Sequence, residues 1–139
     1  MFEPAQFIDL AHELARGELR AASPAARART AYGRMYYGLF LIVRRILMDR
    51  HGLSSRQVRH GPLYHRLQHS SVPAPLRKLG RDMERLYALR QKADYELDAA
   101  PAWLGEIENP ELARVHAARV ADLARTVPAL DFTSVVPLL

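Results

Sequence analysis

Arg90 stands where a leucine belongs. Leu76, Leu79, Met83, Leu86, Arg90, Ala93 and Leu97 fall on one heptad seam of a helix predicted over residues 75–98. An arginine on such a seam is rarely buried without a partner, and Asp94, one turn later on the same side, is the partner the spacing supplies. Tyr87 and Tyr95 are close enough in sequence to frame the pair. Two chemistries fit these residues. A structural ion pair fixes the register of a bundle. A guanidinium held in a cleft or at a dimer interface meets a phosphate, whose oxygens match its planar fork of donors.

A second group lies upstream. Residues 53–81 contain Arg56, Arg59, Arg66, Arg77, Lys78 and Arg81 and not one acid, with His60, His65 and His69 among them. Such a stretch attracts polyanions, of which nucleic acid is the commonest, so Arg56, Arg59, His65 and Arg66 are candidate RNA contacts. The alternative is a solvated basic face that serves solubility. Arg59 and His65 have five residues between them, as do Arg45 and His51, a spacing that arises easily by chance in an arginine-rich chain. His60 is either a helix-start residue bonded to backbone or a proton-exchanging group reaching across to Arg90 or Tyr95. His65 and His69 are four apart, but no neighbouring carboxylate or cysteine completes a metal site, and no HExxH or glycine-rich phosphate loop is present. No metal and no cofactor are therefore expected.

These residues need a rigid frame, and the chain reads as helices from end to end. Its 139 residues suggest one domain spanning 1–139, with 129–139 as an apolar C-terminal tail that docks on the bundle or on a partner. Phe7, Leu10 and Leu14, with Ala11 beside them, recur at helical spacing over residues 4–20. Ser23-Pro24 is a cap followed by proline at the first helical position, opening a helix that ends at Gly52. Its stripe is Ala28, Tyr32, Met35, Tyr36, Leu39, Val43, Ile46 and Leu47, with Gly33 and Gly38 read as close-packing positions and Tyr36 and Phe40 as core. A short helix follows Gly61-Pro62, and Asn109-Pro110-Glu111 opens the last one. The fold expected is an all-α up-and-down antiparallel bundle of about five helices.

Composition narrows the function classes. With 49% hydrophobic and 25% charged residues the chain resembles an ordinary globular protein. The absence of cysteine excludes a disulfide scaffold, a thiolate zinc site and a cysteine nucleophile, and fits a cytoplasmic setting. The longest apolar run, residues 35–43, is less than half a bilayer span, so no membrane insertion is expected, and the acidic N-terminus does not read as a secretory signal. Residues 27–98 carry a net charge of +9 and the remainder −4, which gives the total of +5.

Residues 29–47 (RTAYGRMYYGLFLIVRRIL), the histidine-bearing loop RHGPLYHRL at 59–67 and LYALRQKADYEL at 86–97 together resemble the HEPN domain, over roughly residues 5–127. Arg34, Tyr36, Tyr37 and Phe40 carry the first part of the likeness and Arg90 to Tyr95 the second. The resemblance implies a helical bundle of prokaryotic toxin–antitoxin or defence systems that forms a homodimer and binds RNA or nucleotides. Many such domains are metal-independent ribonucleases with an Arg-x(4–6)-His pair, in which histidine exchanges protons with the ribose 2′-oxygen and arginine stabilises charge on the phosphorus oxygens. Here the motif arginine matches Arg90, but the histidine position falls on Tyr95. A phenol, titrating near ~10 in peptides, exchanges protons poorly at pH 7. The resemblance therefore implies an RNA- or nucleotide-binding component with an atypical Arg90-x4-Tyr95 centre. Its alternatives are an active ribonuclease using Arg90 with Asp94, Tyr95 or His60, and a non-catalytic module that pairs with a minimal nucleotidyltransferase antitoxin.

Overall fold

A computed structural model describes residues 3–17, 23–96 and 105–139. The protein is an all-α up-and-down antiparallel bundle, with no strand among the described residues. The helices whose full extent lies among the described residues are α1 (Ala5–Arg16), α2 (Pro24–His51), α3 (His60–Leu67), α4 (Ala74–Tyr95) and α5 (Pro110–Thr126), and residues 105–107 are helical too. Two short 3-10 turns, Val127–Ala129 and Val136–Leu138, close the chain.

Local chemistry sets most of the boundaries. The Ser23 hydroxyl accepts the Ala26 N–H at 3.1 Å, and Pro24 takes the first helical position of α2, where no N–H is needed. Gly52 ends α2 in the left-handed conformation, φ +67°, where its N–H returns to the carbonyls of the last turn. The Asn109 side chain accepts from Glu111 and Leu112 at the start of α5. The last helix that a cap could have defined, α4, has no glycine or asparagine at its C-terminus and stops at Tyr95 with Glu96 extended. Leu97 and Asp98, placed on this helix by the sequence pattern, lie outside the described residues.

The 28-residue α2 is the spine. All eight residues of its predicted stripe are buried, and α1, α4 and α5 pack around it. Its glycine at position 38 sets how close α1 comes. A Cβ there would stand 2.7 Å from Ile8 Cγ1 and 3.3 Å from the Pro4 carbonyl oxygen. This approach corrects the face read for α1 at Leu10, which is exposed; Ala11 and Leu14 are buried as read, and Ile8 and Ala15 are buried with them. At so short a separation alanines fit between the helices and a leucine turns outward. Gly33 differs, with only the Asp94 carboxylate at ordinary contact distance from its Cβ position. The tail docks on the bundle: Phe132 and Val135 are buried, and Arg50 donates to the Pro128 carbonyl at 2.7 Å. No described helix is long and apolar enough to cross a membrane.

Candidate functional site

Arg90 is held at the junction of α2, α3 and α4. Its place on the α4 seam turns it toward α2, and its side chain is only 14% exposed. The Nε–H donates to Asp94 Oδ2 at 3.0 Å, one helical turn on. The guanidinium carbon lies 4.9 Å from the centre of the Tyr37 ring, 5.8 Å from Tyr95 and 6.0 Å from Tyr87. Three negative π faces around one cation stabilise it electrostatically, by about 0.5–1 kcal/mol each where solvent reaches and more where it does not. Tyr37 has a second cation on it, because Arg34 lies 6.0 Å from its centroid as well as 4.9 Å from that of Phe7. Both readings of Arg90 raised by the sequence therefore share one geometry. The ion pair with Asp94 is made through Nε, and the Nη groups make no hydrogen bond among the described residues.

His60 belongs to the same cluster. It is the first residue of α3, but it does not bond to backbone as a helix-start residue would. Its Nδ1 lies 2.9 Å from the Tyr36 hydroxyl, and its ring packs on Phe40 at 3.9 Å and on Tyr37 at 5.6 Å. Burial pushes the Tyr36 phenol well above its usual range, so the hydroxyl keeps its proton. That hydroxyl has no other acceptor among the described residues, and we therefore assign it as the donor to Nδ1, with the imidazole proton on Nε2. Burial, then the Arg90 and Arg44 charges, lower the His60 pKa below 6.5. A neutral Nε2–H imidazole is a hydrogen-bond donor and not a base at that nitrogen.

The other predicted residues divide by position. Tyr95 ends α4 and is 69% exposed, with its ring near Arg90 and no hydrogen bond to it. Asp94 is spent on Arg90 Nε. His65 is exposed but joined to the cluster through tilted ring contacts, to Tyr64 at 4.7 Å and from Tyr64 to Tyr87 at 5.5 Å. Arg56, Arg59 and Arg66 are exposed on the loop before α3 and on α3, with the Arg59 Nε–H returned to the Arg56 carbonyl. Of the chance-spaced pairs, Arg45 is taken by Glu3 at 2.6 Å. His69 bonds to Ser71, and no group of three metal-ligating side chains occurs among the described residues.

One residue that sequence reasoning passed over supports the whole site. The Arg29 Nη1 donates to the carbonyls of Ala93 and Glu96, each at 3.0 Å, while Nη2 reaches Glu108 at 3.1 Å. The last carbonyls of α4 have no partners within the helix, and a guanidinium satisfies them and meets the negative end of the helix dipole. The only signal in the sequence was the missing C-cap of α4, which requires a donor from elsewhere.

The buried imidazoles give a pH signature. His116, on α5 against Tyr32, is also held below 6.5 by burial and then by Arg85. Unfolded histidines bind protons more readily than these two do. Stability is then unaffected above the unfolded value and falls as pH drops through 6.5 toward the lowered native values, below which this contribution is constant. Urea unfolding between pH 7.5 and 5 is expected to show that decline, and the double substitution of His60 and His116 by glutamine to flatten it. A wild-type stability that is level across this interval contradicts the burial argument.

The chain matches no family model, no curated protein and no solved structure.

Proposed function

We propose that this protein is a HEPN-like RNA-binding component of a toxin–antitoxin or defence system, and that Arg90 is its central phosphate contact. One observation carries the reading: the guanidinium is oriented by Asp94 through Nε and by three tyrosine rings, which leaves its Nη donors unengaged for an incoming anion. A cation whose position is fixed before binding loses little entropy when a phosphate arrives. The donor-only tautomer of His60 suits hydrogen bonding to a phosphate or ribose oxygen and does not suit proton abstraction at Nε2. Tyr95 supplies a ring and no base. The chemistry thus favours binding over cleavage. Arg56, Arg59 and Arg66, with no acid among residues 53–81, extend the cationic surface around α3. A homodimer that brings two such centres together, and a minimal nucleotidyltransferase as partner, follow from the resemblance and belong to the same proposal.

The test is direct. Purified protein in EDTA is expected to bind single-stranded RNA and leave it intact. Arg90→Ala should weaken binding about tenfold, evenly across sequences, and reduce the salt slope by roughly 0.7, the loss of one phosphate contact on a single strand. Arg90→Lys should keep most of the charge but lose the fork. Circular dichroism establishes that each variant is folded. RNA cleavage by the wild type that Arg90→Ala abolishes would make the protein a metal-independent ribonuclease instead. Absence of salt-dependent RNA binding sinks both and leaves a module that recognises only protein.

A further inference from the structure

One concavity of the described residues is not lined by Arg90. Helices α4 and α5 both pack on α2 and barely touch each other, which leaves a groove of about 410 Å³ between them. Its floor is aliphatic: Leu86 and Leu89 from α4, Val120 and Leu123 from α5. Its rim is charged, and most of that charge is neutralised locally. Lys78 pairs with Asp82 at 2.8 Å on the α4 wall, and Asp122 pairs with Arg125 on the α5 side. One cation is left over: Arg119 makes no ion pair or hydrogen bond among the described residues. Arg85, on the opposite wall, is loosely paired with Glu106 at 3.7 Å, and the same carboxylate lies 3.6 Å from His116 Nε2. His116 lines the groove with its side chain 13% exposed and feels Arg85, Glu106 and Arg119 together.

We propose that this groove is a binding site for a single-chain amphiphile with an anionic head, a carboxylate or phosphate monoester on an unbranched aliphatic chain. The inference stands apart from the RNA reading and uses none of its residues. The chain lies on the leucine and valine floor, where each methylene removed from water contributes about 0.8 kcal/mol. The head group is met by the unpaired Arg119, with Arg85 shared between it and Glu106, and an arginine fork suits both carboxylate and phosphate oxygens. The lining favours an aliphatic chain over a nucleotide: among the described residues no Phe, Tyr or Trp side chain lines the groove to stack a base, and its aliphatic floor offers no donor or acceptor to a ribose. The volume falls within the range of small-molecule sites and well below that of a packed helix.

The probes are decanoate, decyl phosphate and decyltrimethylammonium, titrated into the full-length chain by calorimetry and followed by amide chemical shifts. Both anions are expected to bind with shifts centred on residues 82–89 and 116–123, and the cation at least about tenfold more weakly, since one head-group charge decides the sign of the rim interaction. Arg119→Glu, a change on the exposed rim, should invert that preference, while Arg119→Lys retains it. Arg90→Ala should leave the anion affinity unchanged, which separates this site from the RNA surface. A preference for decyl phosphate over decanoate would identify a phosphorylated head, and the reverse a fatty-acid type. Equal binding of all three probes, shifts scattered outside the groove, or an Arg119→Glu protein that still prefers anions overturns the proposal. So does a groove that ignores every amphiphile but takes an acidic amphipathic peptide, which would make it a protein-docking surface.

Discussion

Arg29→Ala is expected to cost about 3 kcal/mol of stability, with a fall in melting temperature of roughly 10 °C for a chain of this size. The side chain is 16% exposed and makes charge-assisted bonds to two backbone carbonyls and to Glu108. Truncation leaves the α4 carbonyls of Ala93 and Glu96 without these donors and Glu108 without its counter-charge. Solvent reaches Glu108 and Glu96, so the effect stays below what a fully buried pair would show. Arg29→Lys should recover only part, because an ammonium cannot span both carbonyls and the carboxylate in one plane. Thermal melts and urea titrations of the three proteins measure this. A loss under about 0.5 kcal/mol, ordinary for a surface substitution, would mean that water caps α4 as well as Arg29 does. Arg90 and Asp94 lie in the last two turns of α4, so under the proposed RNA-binding reading fraying of that end should weaken RNA binding without touching either residue.

The second large effect concerns two glycines of opposite character. Gly80→Ala is expected to destabilise by about 1–3 kcal/mol, although alanine favours helix by about 1 kcal/mol over glycine. At Gly80 α4 crosses α3 so closely that a Cβ would stand 2.9 Å from the Tyr64 carbonyl oxygen, 2.9 Å from Leu67 Cβ and 2.9 Å from Gln68 Cγ. Two of those atoms cannot swing aside, so the helices must separate. Gly61→Ala, on α3 with nothing beyond its chain neighbours within 4 Å of its Cβ position, should be much milder, its cost limited to the contact of a helical pre-proline Cβ with the Pro62 ring. The difference between the two variants isolates the interhelical packing term. If Gly80→Ala costs no more than Gly61→Ala, the crossing relaxes freely and the helix contact is not tight.

What the sequence made legible was whatever is written locally. The ends of α2 and α5 follow from Ser23-Pro24, Gly52 and Asn109-Pro110, each within a few residues of the boundary it sets. The anomaly at Arg90 was legible because a heptad exposes any residue that breaks it. Its partner Asp94 was legible because it lies one turn away. The core roles of Tyr36 and Phe40 follow from the same periodicity. The α1 face was misread at Leu10 because burial there depends on Gly38, a residue of another helix, and hydrophobicity alone ranks Leu10 above Ala15. Arg29 was invisible for a related reason. Its partners stand 64 to 79 positions along the chain, and no spacing rule reaches that far. The Tyr36–His60 bond is likewise tertiary: helical periodicity assigns each residue to an element but does not join the two.

The close crossing at Gly80 also bears on time. An isolated helix of eight residues, such as α3, forms and melts rapidly in water. Locked to α4 through backbone contact, it can open only when α4 moves away, so it borrows the lifetime of a helix of 22 residues. His60 enters the cluster from α3 and Arg90 from α4. Their juxtaposition is therefore expected to last as long as the α3–α4 crossing does, so the proposed phosphate contact would find both groups already in register.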